Sequence, residues 1–118
     1  MSNAEQISNL GATTAGRDAA ALFAALGDPT RLSLLTALSD GHPSSIAGLS
    51  GGTELTRQAV TKHLTVLEKA GLVESMKVGR ESHYSFRRDR IDVMRAYLDG
   101  VSKQWDDALE RLRAFVER

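Results

Sequence analysis

Residues 56–71 read TRQAVTKHLTVLEKAG and form the most informative segment of the chain. Its apolar residues Val60, Leu64 and Leu67 recur three and four positions apart. That spacing predicts the buried face of an amphipathic helix over about residues 56–70. The opposite face is polar and carries Arg57, Gln58, Thr61, Lys62 and Thr65. One side of this helix therefore packs, and the other side is available for hydrogen bonds.

The segment that follows Gly71 predicts a two-stranded hairpin over about residues 72–87. LVESMKV and SHYSF contain β-branched and aromatic residues, and Gly79-Arg80-Glu81 joins them. Their alternation is imperfect, so the pattern leaves the strand register open. Basic residues surround the hairpin, namely Lys77, Arg80, Arg87 and Arg88. For Lys77 and Arg80 we favour a role in neutralising a nucleic-acid backbone over mere solubility; for Arg87 and Arg88 both interpretations stay open.

Upstream of residue 56 the sequence predicts three shorter helices. DAAALFAAL, residues 18–26, is rich in helix formers, and Asp28-Pro29 provides an N-cap and a first-turn proline for the next helix. SSIAGL supplies a third helix after the break at residues 41–43. Arg31 fits either a phosphate contact or an ion pair at the junction of the first two helices, and we favour the ion pair. Residues 1–16 contain no regularly spaced apolar residues and are interpreted as a mobile arm. The rest of the chain, residues 17–118, is then a single domain.

The last segment predicts a long helix over about residues 89–117. Its apolar positions repeat in steps of three and four, through Ile91, Met94, Leu98, Val101, Trp105, Ala108, Leu112 and Phe115. At about 1.5 Å per residue the helix would be on the order of 40 Å long, more than one small domain covers. These apolar residues form a seam along the helix, and the seam predicts contact with a second copy of the chain. Trp105 could instead line an effector pocket, but its place on the seam favours packing.

The order of these elements is typical of one architecture. A helix, a loop, a second helix with a polar face and then a basic hairpin form the winged helix-turn-helix arrangement, in which the second helix enters the major groove of DNA. The predicted fold is mainly α, with five or so helices, a two-stranded wing and a long C-terminal helix. The predicted partner is double-stranded DNA.

Composition narrows the functional classes. The chain has 118 residues and no Cys, which excludes disulfides, thiolate zinc sites and a cysteine nucleophile. No phosphate loop, nucleophile elbow or membrane span is present, so we expect a cytoplasmic protein that is not an enzyme. The net charge is zero, with 15 basic and 15 acidic residues. Residues 54–90 alone hold eight basic against five acidic residues, so the proposed DNA-facing part is locally basic.

Three stretches resemble the ArsR/SmtB family of bacterial transcriptional repressors. They are FAALGDPTRLSLLTAL at 23–38, LTRQAVTKHLTVLEKAGLVES at 55–75 and VGRESHYSF at 78–86. The family shows a DPTR-type start of the second helix, a SxxAVSxHLxxLxxAGLV recognition segment and a GR-containing wing. The resemblance is close over about residues 20–88 and looser through the last helix.

The resemblance implies a homodimeric repressor that occupies a pseudo-palindromic operator. The matching DNA-binding positions are Thr56, Arg57, Gln58, Thr61, Lys62 and His63, with Lys77 and Arg80 on the wing. In the family the N-terminal and C-terminal helices pair in the dimer, so we expect an interface that contains Leu22, Met94, Leu98, Val101, Trp105 and Leu112. For His63 we favour a phosphate contact or a hydrogen bond on the helix surface over a role as metal ligand or proton switch.

The sequence departs from the family at three places. The stretch between Ala47 and Thr56 is longer than the usual turn and contains Gly51-Gly52. Gln58 stands where many members carry Pro. The Cys residues of the third helix and the paired Asp and His of the terminal helix, which metal-sensing members use, are missing. We therefore expect no metal or other cofactor; an unknown effector is compatible with this scheme. The alternative function is a protein-interaction module that has lost DNA binding.

Overall fold

The computed structural model describes residues 14–117. The helices are α1 (Thr14–Leu26), α2 (Pro29–Leu38), α3 (Ile46–Gly51), α4 (Arg57–Lys69) and α5 (Arg88–Val116). The strands are β1 (Ser44–Ser45), β2 (Val73–Val78) and β3 (Glu81–Phe86). The mainly helical winged architecture predicted from the sequence is confirmed. Helix α1 begins at Thr14, so residues 14–16 are helical rather than part of an arm, and residues 1–13 lie outside the described residues.

The junction of α1 and α2 is held by hydrogen bonds to backbone groups. The carboxylate of Asp28 caps α2, and its Oδ2 accepts from the backbone N–H of Arg31 at 3.0 Å. The guanidinium of Arg31 donates to the carbonyl oxygens of Ala25 and, at 3.4 Å, of Ala24. Arg31 therefore fixes the junction, as expected, but through the last carbonyls of α1 rather than through an ion pair.

The core lies where α4 meets the other helices and the sheet. Val60, Leu64 and Leu67 are fully buried, which confirms the packed face of α4. Their neighbours in the core include Leu38 and Leu72. Because these contacts are apolar, they fix the depth of α4 in the domain and leave its polar face outside.

The wing is a hairpin that gains a third strand. Val78 pairs with Glu81, so Gly79 and Arg80 form a two-residue turn, and Gly79 takes φ 64°, which favours glycine. Strand β1 adds to β3 through the pair Ser44 and Tyr84, giving the antiparallel order β1-β3-β2. The sequence predicted two strands because β1 has only two residues and no alternation.

Helix α5 extends beyond the rest of the domain. It has 29 residues, and the described chain measures 68 × 25 × 21 Å. Only Met94 of this helix is buried, although α1 packs along it. The large apolar residues of α5 that remain exposed are Leu98, Trp105, Leu109, Leu112, Phe115 and Val116. No helix within residues 14–117 is both long and apolar enough to cross a membrane.

Candidate nucleic-acid interface

The recognition helix α4 is presented by its N-cap. Thr56 Oγ1 accepts a hydrogen bond from the backbone N–H of Ala59 at 3.1 Å, which starts the helix at Arg57. Arg57 and Gln58, which follow in the first turn, are exposed. Thr56 therefore has a structural role in addition to the DNA contact predicted for it.

A groove of about 720 Å³ separates α4 from the wing. The groove brings together five of the eight predicted DNA-binding residues, namely Arg57, Gln58, Thr61, Lys62 and Arg80. It also contains Glu81, which the sequence placed at the tip of the hairpin, and four residues that the sequence reasoning missed, namely Ser45, Ile46, Ala47 and Ser82. Those four were missed because they reach the groove through the docking of β1, α3 and the wing, which no local pattern specifies.

The hydroxyl groups along α4 already have partners in the helix. Thr61 Oγ1 donates to the carbonyl oxygen of Arg57 at 2.7 Å, and Thr65 Oγ1 donates to that of Thr61 at 2.9 Å. A hydroxyl that donates its proton within the helix can only accept from a ligand. A phosphate oxygen, which is itself an acceptor, is therefore a poor partner for Thr61 in this conformation. Lys62, which is exposed and cationic, is better suited to phosphate.

His63 lies outside the groove. Its Nδ1 is 3.9 Å from Oδ2 of Asp28, the N-cap of α2, and its side chain is 24% exposed. Residue 63 is rotated along α4 away from Arg57 and Lys62, because consecutive helical residues are about 100° apart. The structure thus directs His63 toward the α1–α2 junction rather than to the surface predicted to bind DNA.

The wing carries both cations and a carboxylate. Arg80 lies in the turn and lines the groove, whereas Lys77 is exposed on β2 outside it. Glu81 also lines the groove, and its Oε2 is 3.1 Å from Nε2 of His83. Two arginines that directly follow β3 form ion pairs: Arg87 with Asp89 at 3.2 Å and Arg88 with Asp92 at 3.7 Å. Both pairs are exposed to solvent, and the two interpretations of Arg87 and Arg88 stay open.

The residues predicted at a dimer interface fall into two groups. Leu22 and Met94 belong to the core of the chain itself, with 3% and 7% exposure. Their burial is therefore explained within one chain, and their place in an interface stays a prediction. Leu98, Trp105 and Leu112 are more than half exposed, and Val101 is half-buried.

Each of the three histidines lies within 3.9 Å of one acidic side chain. Within residues 14–117 no three His, Asp or Glu residues are grouped so that they could hold a metal ion. His42 lies 3.5 Å from Asp40 in the turn after α2.

The pKa of Asp28 is lowered, first by the hydrogen bond from the backbone of Arg31 and then by the charges of Arg31 and His63. Asp28 is therefore a carboxylate at neutral pH.

Comparison with known proteins agrees with this geometry. A helix-turn-helix domain family matches residues 26–75. The chain is 33% identical to the uncharacterized HTH-type transcriptional regulator MJ1325 of Methanocaldococcus jannaschii over 73 residues, which are 62% of this chain and 82% of that protein. It is 34% identical to the HTH-type transcriptional regulator YgaV of Escherichia coli over 84 residues, which are 70% of this chain and 84% of YgaV.

A solved structure shows the same architecture. The ArsR-like transcriptional regulator from Rhodococcus sp. RHA1 aligns with a TM-score of 0.74 and 36% identity, covering 84% of this chain and 92% of that one. Fold, groove and relatives together define a DNA-binding transcriptional regulator of the winged helix-turn-helix class, a class of binding proteins rather than enzymes. Within that class, the chain belongs to the ArsR/SmtB family.

Proposed function

We propose that this regulator is a homodimeric repressor that occupies a pseudo-palindromic operator and responds to no metal. The observation that carries the proposal is the groove between α4 and the wing, where Arg57, Lys62 and Arg80 lie on facing elements. Such a groove would allow α4 to enter the major groove while the wing contacts the adjacent backbone. Because the ligand is genomic DNA, we expect the protein to act in the cytoplasm.

We assign the recognition of the DNA base sequence to the first turn of α4. Arg57 has the geometry to donate two hydrogen bonds to guanine, and Gln58 can both donate to and accept from adenine. Both side chains are exposed at the start of the helix, the end that recognition helices direct at base edges. Lys62 and Arg80 would then hold phosphates on either side, and Lys77 would add a contact outside the groove.

Dimerisation is assigned to the exposed face of α5. Leu98, Trp105 and Leu112 leave a row of large apolar side chains in water, and a second copy of α5 would cover them. A two-fold dimer places its recognition helices about 34 Å apart, one turn of DNA. Since the whole chain has no net charge, dimerisation and base contacts must supply the affinity that bulk charge does not.

The decisive experiment measures binding to DNA from upstream of the protein's own gene. Affinity is measured by gel shift at 50, 100 and 200 mM salt, together with a footprint of the protected bases. We expect a symmetric footprint and an affinity that falls steeply with salt, because each phosphate contact releases counterions. Absent binding at 50 mM salt, or affinity independent of salt, would instead support a protein-interaction module.

The same assay tests the absence of metal control. Operator binding is compared after treatment with a chelator and after addition of Zn²⁺, Cd²⁺ or Ni²⁺. We expect the same affinity in each case, because the described residues offer no group of metal ligands. A shift of tenfold or more on metal addition that the chelator reverses would contradict this part of the proposal.

A further inference from the structure

We propose that Asp28 and Arg31 are positioning residues that fix the angle of α4 relative to α1, and thereby the operator spacing that the regulator accepts. The inference rests on the proposed function, because it concerns how a dimer places two recognition helices. Neither residue lines the groove, so their action on DNA would be indirect.

Arg31 ties the end of α1 to the start of α2. In an uninterrupted helix the carbonyl of Ala25 would accept from the N–H of residue 29, but residue 29 is Pro and has none. Arg31 Nε donates to that carbonyl instead, and Nη2 donates to the carbonyl of Ala24 at 3.4 Å. One side chain thus provides a donor for the carbonyl of Ala25 and a second donor for that of Ala24, which also accepts from the backbone N–H of Gly27 at 3.2 Å.

Asp28 continues the connection to α4. Its Oδ2 accepts from the backbone N–H of Arg31 at 3.0 Å and lies 3.9 Å from Nδ1 of His63. The side chain of Asp28 is only 34% exposed and that of His63 24%, so water screens their contact less than it would on an open surface. The end of α1, the N-cap of α2 and the middle of α4 are therefore brought together by Arg31, Asp28 and His63, of which the last two lie 3.9 Å apart, beyond hydrogen-bond distance.

The contacts of Arg31, Asp28 and His63 restrain the rotation of α4 about its axis, which the apolar core alone does not. Val60, Leu64 and Leu67 hold α4 by apolar contacts, which resist separation more than small rotations. The contact at His63 lies to one side of that face and restrains rotation of α4 about its axis. Since α1 packs on α5, the restraint relates α4 to the helix that carries the proposed dimer seam.

The experiment compares operators of different spacing. The footprinted operator is prepared in its native form, with one base pair added at its centre and with one removed, and a non-specific duplex serves as reference. Proteins are the wild type, Asp28→Asn and Arg31→Lys. Asn caps a helix as well as Asp does but carries no charge, and Lys keeps the charge but lacks the fork that spans two carbonyls.

Asp40→Asn is the matched control. Asp40 also accepts from a backbone N–H, that of His42 at 2.9 Å, and also pairs with a histidine side chain, at 3.5 Å. Its partner His42 lies in the turn after α2, and the side chain of His42 is 84% exposed. Any effect common to both Asp variants would come from loss of charge or of a turn contact, not from the connection to α4.

We expect the wild type to prefer native spacing by about tenfold or more, and each test variant to reduce that preference by about fivefold or more. Non-specific affinity should stay within about twofold, because the groove cations are intact. Asp40→Asn should keep the wild-type preference. A wild type that binds all spacings equally would refute the two-site dimer of the proposed function. A wild-type preference retained in both variants would overturn only the positioning role, as would an equal loss for every duplex.

A second measurement needs no DNA. The ring resonances of the three histidines are followed by NMR in the wild type and both Asp variants. We expect Asp28→Asn to shift the resonances of His63 and Asp40→Asn to shift those of His42. Unchanged His63 resonances in Asp28→Asn would show that the two side chains do not meet in solution, and would overturn the proposal independently of operator binding.

Discussion

Arg57, in the first turn of α4, and Arg80, in the turn between β2 and β3, line the same groove although they belong to different elements. The core that buries Val60 and Leu64 sets this relationship, because it fixes α4 beside the sheet. Because the two cations lie on facing walls of this groove, one can contact DNA from α4 and the other from the wing.

Replacing Arg57 by Ala should lower operator affinity by about 1–3 kcal/mol and relax the base preference at one position of each half-site. Lys62→Ala should weaken all duplexes similarly and reduce the salt slope by about one, as expected for a lost phosphate contact. Gel shifts on operator and non-specific DNA at several salt concentrations distinguish the two. Lys69→Ala is the control, because Lys69 is exposed on the last turn of α4 and does not line the groove. Equal losses for all three variants would contradict the assignment.

Trp105→Glu should convert the protein to a folded monomer. Trp105 is 54% exposed in the chain alone, so the change leaves the core intact but places a charge in the proposed apolar seam. Sedimentation velocity measures the association state, and circular dichroism confirms the helical content. Lys103→Glu, on an exposed position of the same helix off the seam, should remain a dimer. A dimeric Trp105→Glu would show that another surface joins the subunits.

Stability should depend on the charges of Asp28 and Asp40 in acid. Hydrogen bonds from backbone N–H groups, the largest cause at each site, lower the pKa of both carboxyls below 3.8. A lowered pKa in the folded state means that the ionised form stabilises the fold above the unfolded pKa, and that this contribution is lost as pH falls through the folded value. The difference in unfolding free energy between wild type and Asp28→Asn should thus be present at about pH 5 and shrink as the pH falls below 3.8. Urea titrations from neutral pH to pH 3 test this; a constant difference throughout would contradict it.

Two glycines should respond in opposite directions to Ala. Gly79 takes φ 64° in the wing turn, and Gly100 lies in α5; an added Cβ would meet nothing within 4 Å at either site. Gly79→Ala should destabilise the fold by about 1 kcal/mol, because Ala disfavours positive φ. Gly100→Ala should stabilise it by about 0.5–1 kcal/mol through helix propensity. Thermal and urea unfolding measure both. Since neither site is crowded, a common sign would contradict the conformational explanation.

Most of the helices, the wing hairpin and the buried side of α4 could be predicted from the sequence alone. The three-and-four spacing of Val60, Leu64 and Leu67 reports burial directly, because a residue that packs must recur on one side of its own helix. Asp28-Pro29 likewise located the start of α2, since an N-cap and a first-turn proline act within one turn of chain. These signals are local, and they sufficed to predict the winged helix-turn-helix class.

The tertiary structure alone decided how those elements meet. His63 follows Lys62 in sequence, yet it lies beside Asp28 rather than in the groove. Met94 belongs to the same apolar repeat as Leu98, yet it is buried within the chain, as is Leu22 of α1. Strand β1 and the groove wall at Ser82 have no sequence pattern of their own. Periodicity shows which side of an element is apolar, but what covers that side depends on the docking of segments far apart in the chain, and that docking is fixed only when the whole core packs.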